Sequence, residues 1–87
     1  MEIIERIRPI REAEGMSRDE FVRETGLKFS SLVNYENGRN SSIGSEQLSK
    51  ITTHPRFKKY ALWLVTGDTL PESGQISPDI EKERDTG

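Results

Sequence analysis

The strongest constraint in this sequence is a set of helix start and stop signals between residues 17 and 38. Ser17 and Glu20 have the spacing of a capping box, in which each side chain bonds the backbone N–H of the other residue at a helix start. Gly26 and Gly38 supply residues at which helices commonly end in a left-handed conformation. The pattern therefore predicts a short helix from Ser17 to Gly26 and another over about 28–37, joined by the turn "TGLK".

Apolar periodicity predicts three further helices. Isoleucines recur at three- and four-residue steps over residues 2–14, where Pro9 indicates either a kink or a new helix start, and we favour a kinked helix. Ser45 is expected to cap a fourth helix, and a fifth runs over about 56–65 and ends at Gly67. No segment has a convincing strand pattern. The chain is therefore predicted to be all-α, a compact bundle of about five short helices.

The length of 87 residues suits one small domain. We expect a helical domain over residues 1–68 and a polar, acidic tail over 69–87 that is extended or mobile and provides a possible dimer contact. Charge follows this division, because residues 1–60 carry 11 Lys or Arg and 9 Asp or Glu, whereas residues 61–87 carry 2 and 6. The net charge of −2 therefore permits nucleic-acid binding without arguing for it.

Several classes of function are disfavoured. The chain has no cysteine, which removes disulfides and thiolate zinc sites and fits a cytoplasmic protein. It has no signal-peptide pattern and no long apolar run, so no membrane partner is expected. Its one histidine, His54, has no partner set for catalysis or metal binding. We therefore expect no enzyme, no metal and no cofactor.

The third helix carries an unusual outer face. At 3.6 residues per turn Leu32 and Tyr35 point inward, and the opposite stripe consists of Phe29, Ser30, Val33, Asn34 and Asn37. Such a surface fits a DNA major groove. There Asn34 could bond an adenine edge, Ser30 could donate or accept, and Phe29 and Val33 could pack on thymine methyl groups. The Phe29 ring could equally fold onto the domain.

The segments "IREAEGMSRDEFVRETGLKFSSLVNYENGRN" and "WLVTG" resemble the lambda-repressor-like (Cro/repressor) helix-turn-helix family over about residues 3–68. The resemblance implies that the third helix recognises bases through Phe29, Ser30 and Asn34. It also implies a structural ion pair between Arg11 and Glu36. The implied phosphate contacts are Arg18, Asn37, Arg39 and Asn40. Lys28 departs from the family pattern of Ser or Thr at the helix start, and phosphate pairing is a plausible reason for a cation there.

The leading hypothesis is a sequence-specific regulator of transcription that binds a double-stranded DNA operator, a repressor of phage or prophage type. A small reading unit covers few base pairs, so a homodimer on two half-sites is expected. The alternative is a protein-interaction module on a helix-turn-helix scaffold, such as an antitoxin that binds a toxin and represses its own operon. A steep loss of affinity for random duplex DNA with added salt favours the first hypothesis.

Overall fold

The computed structural model describes residues 1–39 and 42–86, with side chains as far as residue 84. These residues contain six short α-helices. They are α1 (Ile3–Ala13), α2 (Arg18–Thr25), α3 (Phe29–Glu36), α4 (Ser45–Thr52), α5 (Ala61–Thr66) and α6 (Pro78–Thr86). Single 3₁₀ turns occupy Lys58–Tyr60 and Pro71–Ser73. Within the described residues no strand forms beyond one isolated antiparallel bridge between Leu70 and Gln75. The prediction of an all-α bundle is confirmed.

The predicted capping box opens α2. The Ser17 hydroxyl accepts from the Glu20 N–H at 3.1 Å, and the Glu20 carboxylate accepts from the Ser17 N–H at 3.1 Å. These bonds satisfy backbone donors that a helix start leaves without partners. The first helix, α1, is continuous through Pro9.

The turn between α2 and α3 is tight and is anchored from inside. Gly26 adopts φ 81°, a left-handed conformation that favours glycine. The Thr25 hydroxyl donates to the Phe21 carbonyl at 2.8 Å and accepts from the Leu27 N–H at 3.3 Å. Leu27 is buried beneath this turn. The two helices are thereby joined by a tight turn, as the sequence predicts.

One hydrophobic core lies beneath all six helices. Its buried members are Ile4, Ile7, Ile10, Met16, Phe21, Leu27, Leu32, Tyr35, Ile51, Phe57, Tyr60, Leu64 and Ile76. The radius of gyration is 12.2 Å, and about 12 Å is expected for a compact chain of this length. In the described part of the chain, no helix is both long and apolar enough to cross a bilayer.

Two predicted boundaries are wrong in detail. The residue that caps α4 is Gly44, and Ser45 is already helical. The predicted helix over 56–65 is divided into the 3₁₀ turn at Lys58–Tyr60 and the shorter α5. Phe57 and Tyr60 are both fully buried. A 3₁₀ turn suits them because it stacks residues three positions apart on the same side.

The prediction of an extended or mobile C-terminal segment is also wrong for its described part. Ile76 is 1% exposed and its N–H donates to the Lys59 carbonyl at 2.8 Å. Ile80 packs on the core one helical turn later, so α6 lies against the bundle and contacts α1. Ser77 and Pro78 supply helix-start signals, since the Ser77 hydroxyl accepts from the Ile80 N–H at 3.3 Å and proline suits the first helical position. Two isoleucines in a polar segment thus contribute to docking it on the bundle.

Candidate nucleic-acid interface

The helix α3 presents one face to the core and the opposite face to solvent. Leu32 and Tyr35 are 0% and 6% exposed. On the other side Phe29 is 46% exposed, Ser30 is exposed, and Val33 and Asn34 are half-buried. Phe29 therefore keeps nearly half of its surface open to solvent. The four residues predicted to contact bases lie together on a face that another molecule can reach.

Asn34 combines a fixed backbone with a side-chain amide that bonds none of the residues the structure describes. Its backbone carbonyl accepts from the Arg39 N–H at 3.0 Å, a bond that closes the C-terminal turn of α3. Among residues 1–39 and 42–86, no side chain or backbone group makes a hydrogen bond with the side-chain amide of Asn34. A half-buried amide in this state has its donors and its acceptor available for a ligand.

A cluster of Arg11, Arg18 and Glu36 fixes α3 to the first two helices. Arg11 makes a bidentate pair with Glu36, from Nε to Oε2 at 2.8 Å and from Nη2 to Oε1 at 2.9 Å. Arg18 Nε donates to Glu36 Oε1 at 3.0 Å. Arg11 Nη1 also donates to the Met16 carbonyl at 2.9 Å, between α1 and α2. One carboxylate at the end of α3 thus links three helices.

The negative charge of Glu36 is compensated by the two arginines around it. The Glu36 side chain is 0% exposed. Burial alone would raise its pKa, but the hydrogen bonds from Arg11 and Arg18 outweigh burial and lower the pKa of Glu36. The Arg11 pKa is raised, chiefly by its hydrogen bond with Glu36. Two guanidinium groups facing one carboxylate leave a surplus positive charge beside α3.

The groups predicted to contact phosphate are placed unequally. Lys28 and Arg39 are exposed at opposite ends of α3, and Asn37 is exposed at its C-terminal cap. Lys28 occupies the N-cap position and makes no capping hydrogen bond with its side chain. The Arg18 side chain is 36% exposed and already binds Glu36. Arg18 is thus a second partner of the Glu36 carboxylate, beside Arg11, and the sequence did not indicate this pairing. Asn40 lies outside the described residues.

The structure adds one cationic residue that the sequence did not indicate. A cleft of about 340 Å³ beside the α2–α3 turn is lined by Gly26, Leu27, Lys28, Ser31, Tyr35, Gln47 and Lys50. Lys50 belongs to α4, so the fold brings it near Lys28 from 22 positions away in sequence. The three-residue spacing of Gln47 and Lys50 places them on one face of α4, but only the fold shows where that face points.

A second buried cluster centres on Glu14, at the end of α1 opposite the start of α5. The carboxylate accepts from Arg56 Nε at 2.8 Å, from the Tyr60 hydroxyl at 2.6 Å and from Lys59 Nζ at 3.1 Å. Burial would raise its pKa, but these hydrogen bonds outweigh burial and lower the pKa of Glu14. Lys59 also binds Glu81 of α6 at 3.0 Å. This cluster fastens the C-terminal helices and contributes no residue to the α3 face.

Fold and surface together define a small all-α protein in which two short helices, joined by a tight turn, present the exposed side of the second. No protein-family model matches the chain. The chain is similar to Repressor protein C of Escherichia phage P2, with 38% identity over 78 residues, covering 90% of this chain and 78% of that protein. This chain belongs to the family of that phage repressor.

Proposed function

We propose that this protein is a repressor-type regulator of transcription that binds double-stranded DNA and reads its sequence with α3 in the major groove. The observation that carries the proposal is the outer face of α3, where the Asn34 side-chain amide, which bonds none of the described residues, lies on a helix fixed by buried Leu32, Tyr35 and Glu36. Membership of a phage repressor family supports the regulatory role.

Base recognition in this proposal belongs to Phe29, Ser30, Val33 and Asn34. The Asn34 amide bonds the N6 and N7 edge of an adenine at two points. Ser30 bonds whichever donor or acceptor lies opposite it, because a hydroxyl can do both. Phe29 and Val33 contact the apolar part of a base edge. The cluster of Arg11, Arg18 and Glu36 that holds α3 also serves specificity, because a reading side chain discriminates bases only when its own position is fixed.

Phosphate contacts in this proposal position the protein on the duplex. Lys28, Asn37 and Arg39 lie at the two ends of α3, where the walls of a groove place the backbone phosphates. Arg18 adds charge although Glu36 holds it, and Lys50 extends the cationic surface beyond Lys28. Asn40 remains a proposed phosphate contact. Each cation paired with a phosphate releases counterions, so affinity falls steeply with salt.

The proposed functional unit is a homodimer on two half-sites about one helical turn apart. Two of the large hydrophobic side chains that remain exposed, Val65 at 45% and Leu70 at 43%, lie at the end of α5 and shortly after it. This region lies outside the reading surface. It supports placing the dimer contact on α5 and the segment that follows it.

The test is selection of bound duplexes from a random pool, followed by salt titration of the selected site. The proposal predicts a consensus with two related half-sites in opposite orientation. It also predicts a linear fall of log affinity with log salt, with a slope of about −0.9 per phosphate contacted. Absence of enrichment, together with absence of binding to random duplex at low salt, would contradict the proposal and favour a protein partner.

A further inference from the structure

Phe29 differs from the other phenylalanines of the chain. Phe21 and Phe57 are both 0% exposed, whereas Phe29 is 46% exposed at the first position of α3. A large apolar ring at a helix start adds nothing to capping and leaves apolar surface in water. The ring is therefore placed where a partner, and not the core, can cover it.

Val33 extends this apolar surface. It lies four residues after Phe29, so the two Cβ atoms are neighbours about 5–6 Å apart on one face of the helix. Val33 is half-buried, so part of its side chain stays accessible on this face. Together the two side chains give this face of α3 an apolar strip one helical turn long.

The surroundings of this strip match a DNA groove. Ser30 and Asn34 follow its two members directly in the chain, and Lys28 and Arg39 lie exposed beyond its ends. Hydrogen-bonding groups and cations at the edges of an apolar strip fit base edges between two phosphate backbones. The apolar group that base pairs display in the major groove is the C5-methyl of thymine. A 5-methylcytosine carries the same methyl at the same ring position, whereas uracil and cytosine lack it.

We propose that Phe29 and Val33 select a pyrimidine by its C5-methyl group, so that operator affinity depends on that methyl. This inference rests on the proposed function and names the base feature that this part of α3 recognises. Its consequence is sensitivity to base modification: cytosine methylation at such a position strengthens binding. Burial of one methyl corresponds to about a four-fold change in affinity.

The experiment uses the full chain and the operator obtained by selection, with each thymine replaced singly by deoxyuracil. We expect one or two positions in each half-site at which loss of the methyl weakens binding about four-fold. At those positions a 5-methylcytosine·guanine pair should bind about four-fold more tightly than cytosine·guanine. A protein carrying both Phe29→Ala and Val33→Ala should bind thymine and uracil duplexes equally.

The matched control is Asn34→Ala, which should weaken operator binding and keep the full thymine-to-uracil ratio. Two results would overturn the inference: wild-type affinity that responds to no single uracil, or a protein with both Phe29→Ala and Val33→Ala that keeps the ratio. Either result with sequence-specific binding intact leaves the proposed function standing. Failure to bind any duplex removes the proposed function and this inference together.

Discussion

Replacing Glu36 by glutamine tests whether the arginine cluster holds α3 in place. Glutamine has nearly the same shape but no charge, so Arg11 and Arg18 lose their shared counter-charge. Breaking a buried ion pair from one side costs about 3–5 kcal/mol. Arg11 is 12% exposed and Arg18 is 36% exposed. Water can therefore stabilise Arg18 in part, and the lower end of the range, about 3 kcal/mol, applies.

That loss is large for a domain of this size. Each kcal/mol lowers the midpoint of thermal unfolding by about 4–8 °C, so Glu36→Gln should unfold roughly 12–24 °C below wild type. Far-UV circular dichroism at one fixed protein concentration measures the shift. Fixing the concentration matters because association would make the midpoint concentration-dependent.

Glu12→Gln is the matched control for this measurement. Glu12 pairs with Arg8 at 3.6 Å, and the two side chains are 49% and 53% exposed. An exposed pair contributes about 0–1 kcal/mol, so this substitution should leave the midpoint within a few degrees of wild type. If Glu36→Gln and Glu12→Gln unfold at the same temperature, the reasoning about the buried cluster is refuted.

Three further predictions concern acid, the C-terminal segment and phosphate contacts. Because the pKa values of Glu36 and Glu14 are lowered from 4.5, their stabilisation should be complete above about pH 4.5 and lost as pH falls through the lowered values. Urea titrations of wild type and Glu36→Gln should therefore converge at acid pH, and a constant difference would contradict the pKa assignment. Ile76→Ala should cost about 2–5 kcal/mol in urea unfolding, because the side chain is 1% exposed; a loss below 0.5 kcal/mol would mean that α6 does not dock. Arg39→Ala should weaken operator and random DNA alike and reduce the salt slope by about 1, and an unchanged slope would remove Arg39 from the phosphate contacts.

Local signals explain which parts of the fold could be predicted from sequence. The capping box of Ser17 and Glu20 and the left-handed Gly26 act within a few residues, so the positions of α2 and α3 follow from the chain itself. The inward direction of Leu32 and Tyr35 follows from helical periodicity. These features also orient the candidate reading face.

Features that depend on distant partners were not predictable in this way. Ile76 docks on a surface that the other helices create. The polar composition of residues 69–87 indicated an extended or mobile segment and gave no sign of this docking. Lys50 comes near Lys28 only after α4 packs beside the α2–α3 turn. Arg18 is a further example. Its position in the sequence indicates an exposed cation, but only the fold shows that it binds the buried carboxylate of Glu36.

The most direct test of the central claim compares Asn34→Ala with wild type on the selected operator and on random duplex of equal length, over a range of salt. The account predicts a loss of about 1–3 kcal/mol on the operator, little change on random DNA and an unchanged salt slope, because the proposal gives Asn34 a base contact and no phosphate contact. An equal loss on both duplexes would contradict the assignment of α3's outer face as the surface that reads sequence.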